Sequence, residues 1–197
     1  MTSIDAQEQI ESAESLQPNL AILIGGGIAI GLVSLATLPV PVAIASIVLG
    51  ILMVAGADVD ARTYLLPNVI TWGATICGVS AAWVLDELNP WLAVSDAILR
   101  ALCAAGLLAL LRLIYGCIRH REGLGLGDVK LAAAIGAWLP LEVMPLCFGL
   151  ATGGALVTIL WGHLRGNRIE RTTKIPFGTF LCPALWLAFY ASRLSAG

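Results

Sequence analysis

The sequence predicts an all-α, polytopic integral membrane protein: about six core transmembrane helices with one extra N-terminal helix before them. Three observations carry that prediction. Hydrophobic residues make up 58% of the chain and charged residues 12%, about half the charged share of an ordinary soluble domain. The charges cluster between apolar runs of roughly the 20 residues that a bilayer crossing needs. Lysines and arginines fall on one side when those runs are threaded back and forth. A net charge of -2 offers no basic surface for nucleic acid. The organisation read from this pattern is an acidic tail over 1–19, the extra helix over 20–38, and the core over 39–197.

Taken in order, residues 1–19 carry Asp5, Glu8, Glu11 and Glu14 without a lysine or arginine. A signal peptide starts with a positive region, so this stretch reads as a solvated cytoplasmic tail ahead of a retained helix. The segment 20–38 places Gly27 and Gly31 at the spacing of a close-packing face. Pro39 and Pro41 mark the turn into 42–58, which ends at Asp58-Val59-Asp60. Pro67 suits the first turn of a helix over 67–85, where its missing N–H would be unpaired in any case. Asp86, Glu87, Asn89 and Pro90 form a polar turn before 91–117. A short segment over 128–139 begins at Asp128. Pro140 and Glu142 precede 143–163, where Gly149 and Gly153 make a second packing pair. The polar loop from Arg165 to Lys174 leads to the last segment, 176–193.

With the N-terminus in the cytoplasm, the cytoplasmic loops hold Arg62, Arg119, Arg121, Lys130, Arg165, Arg168, Arg171 and Lys174. Only Arg193 stands at a helix end on the other side. This bias puts Asp58, Asp60 and Asp128 at the cytoplasmic border. Asp96 and Arg100 are spaced i,i+4 and read as an ion pair. The six tryptophans mostly fall near segment ends and read as interfacial anchors. The five cysteines form no C-x-x-C pair, so they read as inert thiols in apolar runs. His120 and His163 have no third ligand in view, and no metal or other cofactor is expected.

The stretch Gly123-Leu124-Gly125-Leu126-Gly127-Asp128-Val129-Lys130 delivers a carboxylate to the mouth of an apolar segment. An acid at the border of hydrocarbon is costly and marks a function by default. Two such acids could share one proton and hydrolyse a peptide bond. They could also hold a metal, relay protons in a transporter, or serve as helix caps. The alternating glycines favour more than a cap, since they leave room for a second backbone. Asp58 and Asp60 are about 200° apart on a helix, so at most one can face Asp128. Spacing alone does not choose between them. Lys130 and the helix N-terminus would both favour an ionised Asp128, leaving the acid that faces it as the protonated partner.

Three motifs in order resemble the type IV prepilin peptidases, short relatives within the GxGD membrane aspartyl proteases. They are Asp60 with Pro67-Asn68, Gly125-Leu126-Gly127-Asp128 with Lys130, and Pro176-Phe177-Gly178-Thr179-Phe180. The resemblance implies an aspartyl endopeptidase that cleaves the basic leader of prepilins or pseudopilins at the cytoplasmic face of the inner membrane. It carries Asp60 and Asp128 as the catalytic pair. Gly125, Gly127, Lys130, Pro67, Asn68, Pro176, Phe177 and Gly178 are the supporting residues, and Glu122 and Glu170 could attract a basic leader. Bifunctional members carry a cytoplasmic domain with paired C-x-x-C motifs that goes with N-methylation. Its absence here implies peptidase activity without methyltransferase activity, as in members that serve Flp/Tad-type pili and in archaeal preflagellin peptidases. Leu124 to Asp128 and Pro183-Ala184-Leu185 also look like presenilin motifs. The Tyr-Asp dipeptide of that family does not occur, so Pro183-Ala184-Leu185 reads as helix packing. A proton-coupled transporter and a silent scaffold of a pilus machine are the rival readings.

Overall fold

Lipid offers the backbone no hydrogen bonds, so each apolar run must satisfy its own N–H and C=O groups as a helix. The computed structural model describes residues 17–119, 125–165 and 176–195, and every regular element among them is helical. The helices are α1 (Leu20–Thr37), α2 (Val40–Thr63), α3 (Asn68–Leu85), α4 (Pro90–Arg119), α5 (Leu126–Trp138), α6 (Met144–Leu164) and α7 (Gly178–Leu194). Among the described residues, α1, α2, α3, α4 and α6 are long and apolar enough to cross a membrane. With 13 residues, α5 rises only about 20 Å, short of a hydrocarbon core of about 30 Å.

The boundaries fall within a few residues of expectation except at the end of α2. That helix continues through Asp58 and Asp60 to Thr63 instead of stopping at 58. Hydropathy drops at the aspartates, but Arg62 donates to Asp58 one turn back and keeps the polar turn helical. Tyr64 then ends the helix in the left-handed region, at φ 56°, with its N–H bonded to the Asp60 carbonyl at 2.9 Å.

The core gathers around α5, which lies against α3 and α4. Leu131, Ala132, Ala134 and Ile135 are fully buried along it. Gly136 lets the backbone of α5 meet the backbone of α4 at Arg100 and Ala101. Trp138 fills the α3 side: its Nε1 donates to the Ala74 carbonyl at 2.7 Å, and its ring meets the edge of Phe189. On the other flank α2 lies between α1 and α7, and α6 packs on α7. Ser34 and Ser46 share a buried hydrogen bond of 2.9 Å, and Trp186 Nε1 reaches Ser46 at 3.1 Å. These bonds fasten α1 to α2 and α7. Outward-facing leucines, isoleucines and valines clothe the bundle as a lipid-facing surface would require.

Several expectations are corrected. A Cβ on Gly31, Gly149 or Gly153 would meet nothing within 4 Å, and on Gly27 only Ile51 at 3.7 Å, so neither spaced pair is a packing face. Close approach occurs instead at Gly50, Gly78, Gly136 and Gly178. Trp138 is buried in the core and Trp186 is half-buried against it, while Trp72, Trp83, Trp91 and Trp161 are exposed as anchors should be. Asp96 and Arg100 form no ion pair; Arg100 Nε turns to the Gly136 carbonyl at 3.3 Å. Cys147 and Cys182 are buried, but Cys103 and Cys117 face outward. Pro183 lies inside α7, where Ala184 and Leu185 are buried as packing residues.

Candidate active site

Four helix ends meet at one end of the bundle: the last turns of α2 and the first turns of α3, α5 and α7. Because α2 stays helical, Asp58 and Asp60 point apart, as the 200° rule demands. Asp58 Oδ2 accepts from Arg62 Nη2 at 2.6 Å and from the Asn19 N–H at 2.7 Å. Arg62 also donates to the Gln17 carbonyl at 2.7 Å. Asp58 thus ties the start of α1 to the end of α2 and is committed away from the other acids.

Asp60 is 6% exposed and turns inward to α7. Its Oδ2 accepts from the Thr179 N–H at 2.6 Å and the Thr179 hydroxyl at 3.1 Å. Gly178 makes that approach possible, since a Cβ there would come within 2.8 Å of the carboxylate carbon. The glycine of the Pro176-Phe177-Gly178 element therefore has a steric reason. Phe177 starts α7 by accepting from Phe180 and Leu181, both at 3.0 Å, and its ring packs on the core. Pro176 is half-buried just before it.

Asp128 is the third residue of α5, after an N-cap at Gly125, and its carboxylate accepts from the Gly125 N–H, so it closes the first turn from within the helix and not as the N-cap residue. A Cβ on Gly125 would lie 3.3 Å from Asp128 Oδ2, and one on Gly127 would lie 3.0 Å from the Leu66 Cβ. The two glycines let this turn fold over its own carboxylate and against the α2–α3 connection. Asp60 and Asp128 consequently share the wall of one cleft of about 230 Å³, with Tyr64, Leu66, Gly125, Gly127 and Lys130. They are near enough for the charge of Asp60 to act on Asp128. No hydrogen bond joins the two carboxyl groups among the described residues.

Lys130 does not turn to Asp128. Its Nζ donates to Asn68 Oδ1 at 2.6 Å, which ties the start of α5 to the start of α3. Pro67 caps α3 through its carbonyl, which accepts from Ile70 at 3.1 Å and Thr71 at 3.3 Å. Lys130, Asn68 and Pro67 thus act on the frame of the cleft, and the expected direct bias of Lys130 on Asp128 has no contact to support it. Gly123, Leu124, Glu122 and Glu170 lie outside the described residues. Sequence reasoning missed Thr179 as the partner of Asp60, although the residue stood in the quoted motif. It also missed Asn19 and Arg62 as the partners of Asp58.

A helical membrane bundle with two acids converging on one cleft defines a class of intramembrane acid-pair proteins. The comparison with known sequences is narrower. The chain belongs to the type IV leader peptidase family, whose profile matches residues 47–162 and so takes in both Asp60 and Asp128. A prepilin leader peptidase/N-methyltransferase of Xanthomonas campestris is 32% identical over 148 residues, 74% of this chain and 49% of the relative. The leader peptidase HopD of Escherichia coli is 33% identical over 136 residues, 69% of this chain and 85% of the relative. A prepilin leader peptidase/N-methyltransferase of Dickeya chrysanthemi is 36% identical over 138 residues, 66% of this chain and 44% of the relative. The chain therefore spans about half the length of the two methyltransferase-named relatives and most of HopD. No solved structure matches it.

Proposed function

We propose that the protein is a membrane-embedded aspartyl endopeptidase for the leader peptides of type IV prepilins or pseudopilins of the Flp/Tad kind. Cleavage would take place at the cytoplasmic border of the inner membrane. The observation that carries the reading is the shared cleft of Asp60 and Asp128. In the proposed cycle one carboxyl is ionised and the other keeps its proton. The ionised group takes a proton from water, whose oxygen attacks the scissile carbonyl. The protonated group donates to the carbonyl oxygen as charge develops there. Collapse of the tetrahedral intermediate breaks the C–N bond, and a carboxyl proton passes to the leaving amine. Family membership supports the substrate class, and the side-chain-free surface at exposed Gly125 leaves room for an extended leader to approach.

Activity without N-methylation is part of the same proposal. It is supported by the match over most of HopD, which is named as a leader peptidase alone. The test is cleavage of a co-expressed prepilin by wild type and by Asp60→Asn, Asp128→Asn and Asp58→Asn. The first two variants are expected to lose cleavage and the third to keep it, because Asp58 is engaged by Arg62 and Asn19. Cleavage by both Asp60→Asn and Asp128→Asn would end the aspartyl reading. Failure of the wild type on several prepilins would favour a transporter or a scaffold. Intact mass of the mature pilin reads methylation: an added methyl group would overturn the peptidase-only proposal.

A further inference from the structure

The opposite end of the bundle holds a second cavity, of about 250 Å³, with Asp86, Asp96, Arg100 and Arg193 in its wall. The last turns of α3 and α7 and the first turns of α4 bring these charges together. Their formal charges cancel, yet no ion pair joins them; Arg62–Asp58 is the ion pair found among the described residues. Asp86 Oδ1 accepts from the Leu88 N–H at 3.1 Å and the Asn89 N–H at 2.9 Å. Arg100 Nε is held by the Gly136 carbonyl. These bonds anchor the two side chains without using Asp86 Oδ2 or the terminal nitrogens of Arg100. Arg193 lies over the Phe189 ring, 5.3 Å from its centroid, and Asp96 is exposed. On the same ends of α3 and α4, exposed Trp83 and Trp91 meet edge-on with ring centroids 4.6 Å apart. Exposed tryptophans at helix ends mark the level of lipid headgroups.

A lone anion in this cavity would face two carboxylates, and a lone cation two guanidiniums. A small zwitterion meets both signs and leaves the net charge unchanged. The volume falls below the range of about 300–1,000 Å³ for sites that take drug-sized ligands, which suits a headgroup. Exposed Val84 and Leu92, each next in sequence to a residue of the cavity wall, offer apolar surface to acyl chains. We infer that this cavity binds the headgroup of a zwitterionic phospholipid with a primary ammonium, of the phosphatidylethanolamine type. Its phosphate lies against Arg100 and Arg193, which suit it as fork-shaped donors. Its ammonium lies against Asp86 and Asp96. The inference is independent of the proposed peptidase chemistry.

The experiment is native mass spectrometry of the purified full chain titrated with phosphatidylethanolamine, phosphatidylcholine, phosphatidylglycerol and soluble phosphoethanolamine. Phosphatidylcholine keeps the phosphate but carries no N–H donors; phosphatidylglycerol keeps the phosphate and has no cation. Phosphatidylethanolamine is expected to bind about fivefold more tightly than either, the scale of one exposed ion pair. Asp96→Asn is expected to cost phosphatidylethanolamine about the same factor and to flatten the preference, and Arg193→Gln to weaken all three lipids by about that factor. Both positions are exposed, and the lipid-free melting temperature checks that each variant folds. Equal binding of the three lipids would overturn the inference, as would full ethanolamine selectivity in folded Asp96→Asn or undiminished lipid binding in folded Arg193→Gln. Soluble phosphoethanolamine binding as well as the lipid would overturn the membrane source.

Discussion

At the scale of single residues, the environment of Asp60 is the most informative part of the molecule. One carboxylate oxygen takes two bonds from Thr179, and Gly178 leaves the space for it. Gly178→Ala is therefore expected to push the carboxylate out of place. A displacement near 1 Å at a reacting group costs about 100-fold in rate. Cleavage assays beside a melting curve would separate that loss from unfolding. Thr179→Val keeps the backbone bond and removes the hydroxyl bond, with an expected loss of about 1 kcal/mol, or about fivefold in rate. Thr179→Ser should restore the rate, and an inactive serine variant would remove the hydroxyl from the account. A pair that works with one shared proton requires a bell-shaped pH–rate profile. The acid limb reports protonation of the active carboxylate, and the alkaline limb reports loss of the remaining proton. In Lys130→Met both limbs should stay in place, because Lys130 bonds Asn68 and not Asp128. A shifted limb would restore Lys130 to the electrostatics of the pair.

At the scale of elements, helices were legible from hydropathy, but their inward faces were not. Apolar residues surround a membrane helix on every side, since lipid and core are equally dry. Glycine spacing alone therefore pointed to Gly149 and Gly153, which face open space, and passed over Gly136, which meets the α4 backbone. The end of α2 was misplaced because polarity was taken for an ending, while the partners of Asp58 made the polar turn compatible with a helix. Asp58, Asp60 and Asp128 stood out because an acid at a hydrocarbon border is rare against such a background, while the choice of Asp60 over Asp58 rested on the family resemblance. Thr179 did not stand out, because a threonine near a helix start is ordinary until its partner is known. The packing distinction can be tested directly. Gly136→Val should destabilise the bundle by about 2 kcal/mol or more through forced separation of α4 and α5. Gly153→Val should change stability by no more than about 0.5 kcal/mol. Thermal melting in one detergent compares the two, and equal losses would contradict the assigned packing.

At the scale of the whole molecule, the two ends of the bundle differ in character. One gathers Asp60, Asp128, Lys130 and Asn68 around a cleft; the other gathers two aspartates and two arginines beside exposed tryptophans. The proposed leader cleavage from the cytosol requires the first end to face inward, and the expectation from the lysine and arginine bias is the same. The chain offers a clean probe of each end. Leu65 lies in the α2–α3 connection at the site end and is 62% exposed; Leu88 lies in the α3–α4 turn and is 90% exposed. Cysteines placed singly at these positions, with the native cysteines replaced by serine, can be treated with a membrane-impermeant maleimide. In intact spheroplasts Leu88→Cys should label and Leu65→Cys should label only after permeabilisation. The reverse pattern would put Asp60 and Asp128 on the outer face. The proposed cytosolic processing would then fail on geometry, whatever the purified enzyme cleaves.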